Sequence, residues 1–217
     1  MDLEIARGSF MKAICFFCFF CFFFFSQVLK ADFLPQSFSA KFEQEYVSIL
    51  KGKTKKGEGL IEYKYPGNIR FETSTPSQVI FVSNGIKTWY YRAPFIEGEE
   101  GEVTETTAKE GSSVYIKFFD SLKNGLSANA LYDIKNAGDG THVVTFKAKT
   151  AKDFGIKEAV LVFNSAKDKE FSELKKIELL FPDGKKSSLT FVHLKINPGM
   201  DAARFNFVAP PKTKKTN

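Results

Sequence analysis

The chain has 217 residues, and its 31 basic and 25 acidic side chains give a net charge of +6. This mild excess is spread along the sequence, whereas nucleic-acid binding calls for a denser basic stripe interleaved with stacking aromatic residues. The three cysteines, Cys15, Cys18 and Cys21, all lie near the N-terminus. The rest of the chain can therefore form neither a disulfide framework nor a thiolate metal site.

The N-terminal segment is an apolar leader. Residues 13–25 form an unbroken hydrophobic run directly after Lys12. A secretory signal contains ~7–15 such residues, whereas a membrane-spanning helix needs ~18 or more. We predict a signal peptide over residues 1–31, with Met11 as the alternative start, and an exported product; retention as an uncleaved anchor is the other interpretation. Residues 32–217 then suffice for a single domain with its own core.

The remaining sequence reads as short strands separated by turn signals. The predicted strands cover residues 60–65, 69–73, 79–83, 88–91, 132–135, 142–147, 159–163, 174–181, 188–196 and 205–208. Asn84-Gly85 is one of the strongest hairpin dipeptides, and Pro66-Gly67-Asn68 is a typical turn. The basic tail, with Lys212, Lys214 and Lys215, is expected to be frayed.

Only two stretches favour helix, residues 37–47 and residues 114–126. Neither lies between strands as a crossover of the length that parallel pairing requires. Sequential hairpins therefore predict a mainly β (α+β) protein whose sheet is an antiparallel meander.

The sequence contains no motif for catalysis or for a cofactor. His142 and His193 lie far apart in predicted strands, without other metal ligands at suitable spacing, and we interpret both as surface or sheet-edge residues. No nucleophile elbow, phosphate loop or dinucleotide fingerprint is present. The acidic residues 97–102 are interpreted as a solvated loop. We predict that the protein is not an enzyme and that it binds no cofactor and no metal ion.

Four blocks of sequence resemble one known family. They are FSAKFEQ (38–44), GEGLIEYKYPGNIRF (57–71), VSNGIKTWYYRAPF (82–95) and DAARFNFVAPP (201–211). Together they resemble the periplasmic outer-membrane lipoprotein carrier, LolA. The resemblance implies a half-open, strongly curved antiparallel β-barrel with a small helical lid over an apolar cavity. It also implies a monomeric periplasmic carrier that binds the acyl chains of lipoproteins. Such a carrier takes them from an inner-membrane ABC transporter (LolCDE-like) to an outer-membrane receptor (LolB-like).

The resemblance also implies which residues contact acyl chains, with ordinary core packing as the alternative for each. Residues at the strand positions that line the family's cavity, or in its lid helix, are Ile61, Tyr63, Tyr65, Ile69, Phe71, Trp89, Tyr91, Phe118, Phe119 and Leu122.

The chain departs from the family pattern in two places. Many members have a basic residue immediately before the proline of the second strand turn, where this chain has Tyr65. Only residues 32–37 precede the phenylalanine of FSAKF, where the family has a helix of several turns, so we expect a reduced lid on that side. Both departures favour one alternative, a carrier of another lipid or glycolipid. A half-barrel lipoprotein sensor is a second alternative.

Overall fold

The computed structural model describes residues 32–47, 52–167 and 169–216, and the strands in these ranges form a single curved, open sheet. The strands are β1 (Ser37–Val47), β2 (Thr54–Lys64), β3 (Asn68–Thr75), β4 (Val79–Asn84), β5 (Lys87–Arg92), β6 (Gly101–Thr107), β7 (Tyr132–Gly138), β8 (Thr141–Phe146), β9 (Glu158–Phe163), β10 (Leu174–Leu180), β11 (Lys186–Ile196) and β12 (Thr213–Thr216). Their order across the sheet is β12-β6-β5-β4-β3-β2-β1-β11-β10-β9-β8-β7. Neighbours are antiparallel except β12 and β6, which run parallel. The predicted mainly β class and antiparallel meander are confirmed. The predicted signal peptide, residues 1–31, lies outside the described residues.

Two short helices, α1 (Val114–Ser121) and α2 (Ala148–Phe154), cover one face of the sheet, which we call the concave face. α1 begins at Ser113, whose hydroxyl accepts a hydrogen bond from the Tyr115 N–H and caps the helix. α2 ends at Gly155, which adopts the left-handed conformation that glycine tolerates best. The helix predicted over residues 114–126 is confirmed in its first part, and α2 was not predicted.

The hydrophobic core lies between the concave face and the helices. α1 places Phe118 and Phe119 in it, and β1 contributes Phe38 and Phe42, all with at most 1% of their surface exposed. Burial of each such ring stabilises the fold by ~1.5–3 kcal/mol. The lid is therefore held to the sheet mainly by aromatic packing.

A smaller cluster lies on the opposite, convex face of β4, β5 and β6. It comprises Ile80, Val82, Tyr91 and Val103. The C-terminal segment packs over this cluster, because the ring of Phe207 lies 5.5 Å from that of Tyr91.

Residues 37–47 form a strand, and the helix predicted there was wrong. Phe38, Ala40 and Phe42 alternate with a period of two, and all three are buried. β1 lies between β2 and β11 and forms backbone hydrogen bonds with both. Pairing on two sides outweighs a weak helical preference, which amounts to a few tenths of a kcal/mol per residue.

Three other segments differ from the expectation. The basic tail was expected to be frayed, but Thr213–Thr216 form β12 and pair with β6. Residues 101–107 form β6, although the acidic stretch 97–102 was interpreted as a loop. Opposite charges on the two strands support this pairing, since Arg92 and Lys87 on β5 contact Glu102 and Glu105 at 2.8 and 2.6 Å. Residues 205–208 are not a strand: Ala202–Phe205 is a 3₁₀ turn capped by Asp201.

Within the ranges 32–47, 52–167 and 169–216, no helix combines the length and the apolar character needed to cross a bilayer.

Candidate functional site

The concave face contains an open cavity of about 320 Å³ between the start of α1 and the ends of β1, β3 and β4. Its lining residues are Gln44, Tyr46, Phe71, Thr73, Thr75, Pro76, Ser77, Val79, Phe81, Tyr90, Ser113 and Tyr115. This volume is at the lower end of the ~300–1,000 Å³ typical of ligand pockets. We call it the acyl cavity, after the acyl chains that the family resemblance leads us to expect there.

A row of apolar side chains crosses three strands to form the wall of the acyl cavity. Phe71 on β3 is paired with Phe81 on β4, and Phe81 is paired with Tyr90 on β5. Directly paired residues of neighbouring strands point to the same face of a sheet. The 45% exposure of Tyr90 therefore reflects an aromatic side chain bordering an open apolar space.

Phe71 separates the acyl cavity from the packed core. Its ring stacks on Phe42 at 4.5 Å and on Tyr115 of α1 at 5.0 Å. Gly59 on the neighbouring strand makes this stack possible, because a side-chain carbon there would lie 2.7 Å from the Phe42 ring. The stacked rings of Phe71 and Tyr115 therefore close the cavity toward the core.

A polar trio lies at the inner end of the acyl cavity. The Gln44 amide donates to the Tyr115 hydroxyl at 3.4 Å and to the Ser187 hydroxyl at 3.2 Å, and the two hydroxyls lie 3.2 Å apart. Burial raises the pKa of the Tyr115 hydroxyl, which therefore stays neutral. These hydrogen bonds join β1, β11 and α1, but they are long and therefore weak.

The far end of α1 is closed by stronger polar contacts. The Tyr63 hydroxyl donates to Asp120 at 2.5 Å, and the same carboxylate oxygen accepts the Gly67 N–H at 3.1 Å. Burial, together with the hydrogen bond to Asp120, raises the pKa of the Tyr63 hydroxyl well above its ordinary value. The Tyr132 hydroxyl donates to the Gly125 carbonyl at 2.6 Å. The lid is thus fixed more firmly at its C-terminal end than at Tyr115.

Most of the predicted acyl contacts lie in the packed core beneath this closed end. Six of them have no exposed surface: Ile61, Tyr63, Ile69, Phe118, Phe119 and Leu122. Of the ten predicted residues, Phe71 lines the acyl cavity. Tyr65 packs against the edge of the core, with the Lys123 ammonium 5.4 Å from its ring centre.

Trp89 and Tyr91 lie on the convex face, away from the acyl cavity. Their partners on β4 are Val82 and Ile80, which belong to the convex cluster. Sequence reasoning instead missed Tyr90, which lies on the concave face. In the structure the two loop residues are Gly85 and Ile86, one position after the Asn84-Gly85 loop that the dipeptide favours, and this register pairs Phe81 with Tyr90.

His142 is buried on β8, which lies between two other strands, contrary to the surface or sheet-edge position predicted for it. Its ring lies 5.7 Å from that of Phe163, and burial, aided by the charge of Lys169, lowers its pKa. Across the described ranges, no group of three or more His, Cys, Asp and Glu residues is arranged to hold a metal ion.

An ion pair between Arg204 and Glu62 links the C-terminal segment to the convex face. The Arg204 guanidinium donates to both carboxylate oxygens of Glu62, at 3.0 and 2.5 Å, and Glu62 is 6% exposed. The hydrogen bond to Glu62 raises the pKa of Arg204. Arg204 therefore stays charged at neutral pH.

Replacing Arg204 with methionine is expected to lower the free energy of unfolding by about 2 kcal/mol, because it leaves a buried carboxylate without its donor. Urea unfolding of the two proteins measures the difference. Arg92→Met, at an exposed ion pair, is the matched control and should change stability by less than about 1 kcal/mol. Equal losses in the two variants would contradict the assignment.

An open, curved antiparallel sheet with a helical lid over an apolar cavity defines a half-barrel suited to sheltering an apolar ligand. The family model for the outer membrane lipoprotein carrier protein LolA matches residues 35–208, and the chain belongs to this family. The resemblance seen in the four sequence blocks is thereby confirmed.

Relatives in several bacteria carry the name outer-membrane lipoprotein carrier protein. The chain is 28% identical over 177 residues to that of Pectobacterium carotovorum, covering 81% of this chain and 78% of the relative. It is 29% identical over 178 residues to that of Vibrio campbellii, covering 80% and 76%.

Among solved structures, a LolA superfamily protein from Nitrosomonas europaea aligns with a TM-score of 0.42 at 11% identity, covering 82% of this chain and 94% of that one. An uncharacterized conserved protein from Thermus thermophilus aligns with a TM-score of 0.46 at 11% identity, covering 84% and 92%.

Proposed function

We propose that the protein is a non-catalytic carrier that binds the acyl chains of lipoproteins and shuttles them through the periplasm from the inner to the outer membrane. Membership of a lipoprotein carrier family supports the cargo class. The observation that carries the proposal is the open acyl cavity, whose wall is the row Phe71, Phe81 and Tyr90. Residues 1–31 would act as the export signal and be removed.

The acyl cavity lowers the free-energy cost of moving an acyl chain through water. Transfer of an acyl chain from water into an apolar site is favourable by ~0.8 kcal/mol per methylene, so an acylated protein does not leave a membrane unaided. A cavity lined by aromatic rings removes most of this barrier without forming fixed ion pairs with the cargo. Release then requires only a second apolar environment that binds the acyl chain at least as strongly as the cavity does.

The lid must move for a cargo with several acyl chains. The acyl cavity is about 320 Å³, whereas the core beneath α1 is filled by Phe119, Phe118 and Leu122. We infer that Tyr115 leaves its stack first, because its end of α1 has the weaker polar contacts. Displacing the buried rings would then expose the predicted contacts Ile61 and Tyr63 to the cargo.

The partners follow from the direction of transport. We propose an inner-membrane ABC transporter of the LolCDE type as the donor and an outer-membrane receptor of the LolB type as the acceptor. Tyr65 replaces the basic residue that many members have before the turn. We therefore expect handover to depend less on that position than in those members.

Lipid extraction of the processed protein, purified from the periplasm without detergent, tests the proposal. Mass spectrometry is expected to detect acylated peptides or lipoproteins bound to it. Protein that is free of any acyl compound, even when purified from cells overproducing a lipoprotein, would contradict the carrier function.

The second candidate is a carrier of a single-chain lipid or glycolipid. The small volume of the acyl cavity favours it, because the closed lid leaves little room for a multiply acylated cargo. Extraction of free lipid, without acylated protein, would select this alternative.

A further inference from the structure

The loop between β5 and β6 exposes two bulky apolar residues side by side. Phe95 is 89% exposed and Ile96 is 63% exposed. Isolated apolar residues on a surface are common, but an adjacent pair at a loop tip has no packing role in the fold. We call residues 93–100 the rim loop.

The rim loop starts at the mouth of the acyl cavity. The Ala93 N–H donates to the Gln78 carbonyl at 3.0 Å, and both neighbours of Gln78, Ser77 and Val79, line the cavity. Phe95 follows Ala93 by two residues. An acyl chain that enters or leaves the cavity therefore passes close to the base of the loop.

The rim loop lies at the same end of the strands as several other turns. The pairs Val47↔Thr54, Thr73↔Val79 and Arg92↔Glu102 place this end of β1 to β6 on one side of the molecule. The exposed tip Ile86 of the β4–β5 hairpin lies at the opposite edge, since β4 and β5 reverse there.

Charges of both signs lie on the same side of the molecule as the apolar pair. Exposed lysines at this edge are Lys53, Lys55, Lys56, Lys186 and Lys212. Exposed glutamates in the rim loop and at the end of β1 are Glu45, Glu97, Glu99 and Glu100. A balanced mixture complements a zwitterionic headgroup layer, whose phosphates accept from lysines and whose positively charged ammonium groups attract carboxylates. Glutamates directly after Ile96 oppose attraction to a purely anionic surface.

We propose that the rim loop is a membrane-contact element, which inserts Phe95 and Ile96 into a zwitterionic phospholipid surface and holds the mouth of the acyl cavity against it. The inference rests on the proposed carrier function for its purpose, since contact at this edge lets an acyl chain pass between bilayer and cavity without crossing water. With only two apolar side chains inserted, the contact is weak and reversible, as a shuttle requires.

Flotation with vesicles tests the proposal. The processed protein, purified from the periplasm of cells that express the full chain, is mixed with vesicles of phosphatidylethanolamine and phosphatidylcholine. The bound fraction is expected to fall by about tenfold or more when Phe95→Ser and Ile96→Ser are combined, because both apolar anchors are lost. Adding phosphatidylglycerol or salt should change the binding of the unaltered protein little.

Ile86→Ser is the matched control, because it removes an equally exposed apolar residue from the opposite edge and should leave flotation unchanged. Binding of a fluorescent long-chain fatty acid in solution is measured for every variant. The rim-loop variant should keep that binding, whereas failure of the carrier function would remove it from the unaltered protein.

Three results would overturn the membrane contact. They are an unaltered protein that does not float with any vesicle, a rim-loop variant that floats as well as the unaltered protein, and binding that appears only with anionic lipid. Transfer of acylated cargo that depends on Phe95 and Ile96 only when a receptor protein is present in the vesicles would assign the loop to a protein partner instead.

Discussion

Replacing Phe81 with aspartate is expected to lower the affinity for a long-chain fatty acid by about 100-fold. The side chain lies between Phe71 and Tyr90 in the wall of the acyl cavity. In the empty protein the new carboxylate stays hydrated through the open mouth. A bound acyl chain removes that water, and desolvating an unpaired charge costs at least ~2–3 kcal/mol, which corresponds to about two orders of magnitude in affinity.

Fluorescence titration with a fatty-acid probe measures this loss. Ile86→Asp adds the same charge at the far tip of the same hairpin and should bind normally, and Phe81→Leu should retain most of the affinity because it keeps an apolar wall. Circular dichroism and urea unfolding verify that the variants are folded. A folded Phe81→Asp variant that binds like the unaltered protein would remove the acyl cavity from the binding site.

Phe119→Ala is expected to lower the free energy of unfolding by about 3–5 kcal/mol in the unliganded protein. The ring of Phe119 is fully buried and lies 5.0 Å from that of Phe38 and 5.4 Å from that of Tyr63. Removing it leaves a void beneath the lid that the aromatic neighbours cannot fill. Phe95→Ala deletes the same group at an exposed site and should change stability by less than about 0.5 kcal/mol.

The same pair of variants tests whether the buried residues become acyl contacts. If an acylated cargo displaces α1 and its rings, Phe119 no longer packs against Phe38 in the loaded protein. The destabilisation caused by Phe119→Ala should then shrink when unfolding is measured with saturating acylated lipoprotein. An identical loss in the presence and absence of cargo would restrict the site to the acyl cavity.

Tyr63 is not equivalent to Phe71, although both were predicted to contact acyl chains. Its strand pattern resembles that of Phe71, and a charged residue at either position would be expected to act only on binding. Tyr63, however, is fully buried and donates to Asp120, so a charge there would act on folding. Phe71 also packs on both sides. Phe81 is the better position because one side of it faces open space.

The β4–β5 hairpin shows how far sequence reasoning reaches. Alternation and the Asn84-Gly85 turn correctly predicted two paired strands, because both signals depend on residues close in the chain. The exact register came from the structure, because the loop residues are Gly85 and Ile86 and this pairs Phe81 with Tyr90. The two signals did not reveal which face of the hairpin would be covered by α1 and which by Phe207, since that depends on segments far away in sequence.

Local patterns therefore determined the class of this protein: strands, turns, an antiparallel meander, one lid helix and the family resemblance all follow from residues near one another in the chain. The tertiary structure alone decided that residues 37–47 pair as a central strand, that Trp89 lies outside while Tyr90 borders the acyl cavity, and that Phe119 fills the space beneath the lid. The physical reason is that burial and strand pairing are set by neighbours distant in sequence, whose contributions exceed the small local preferences of each residue.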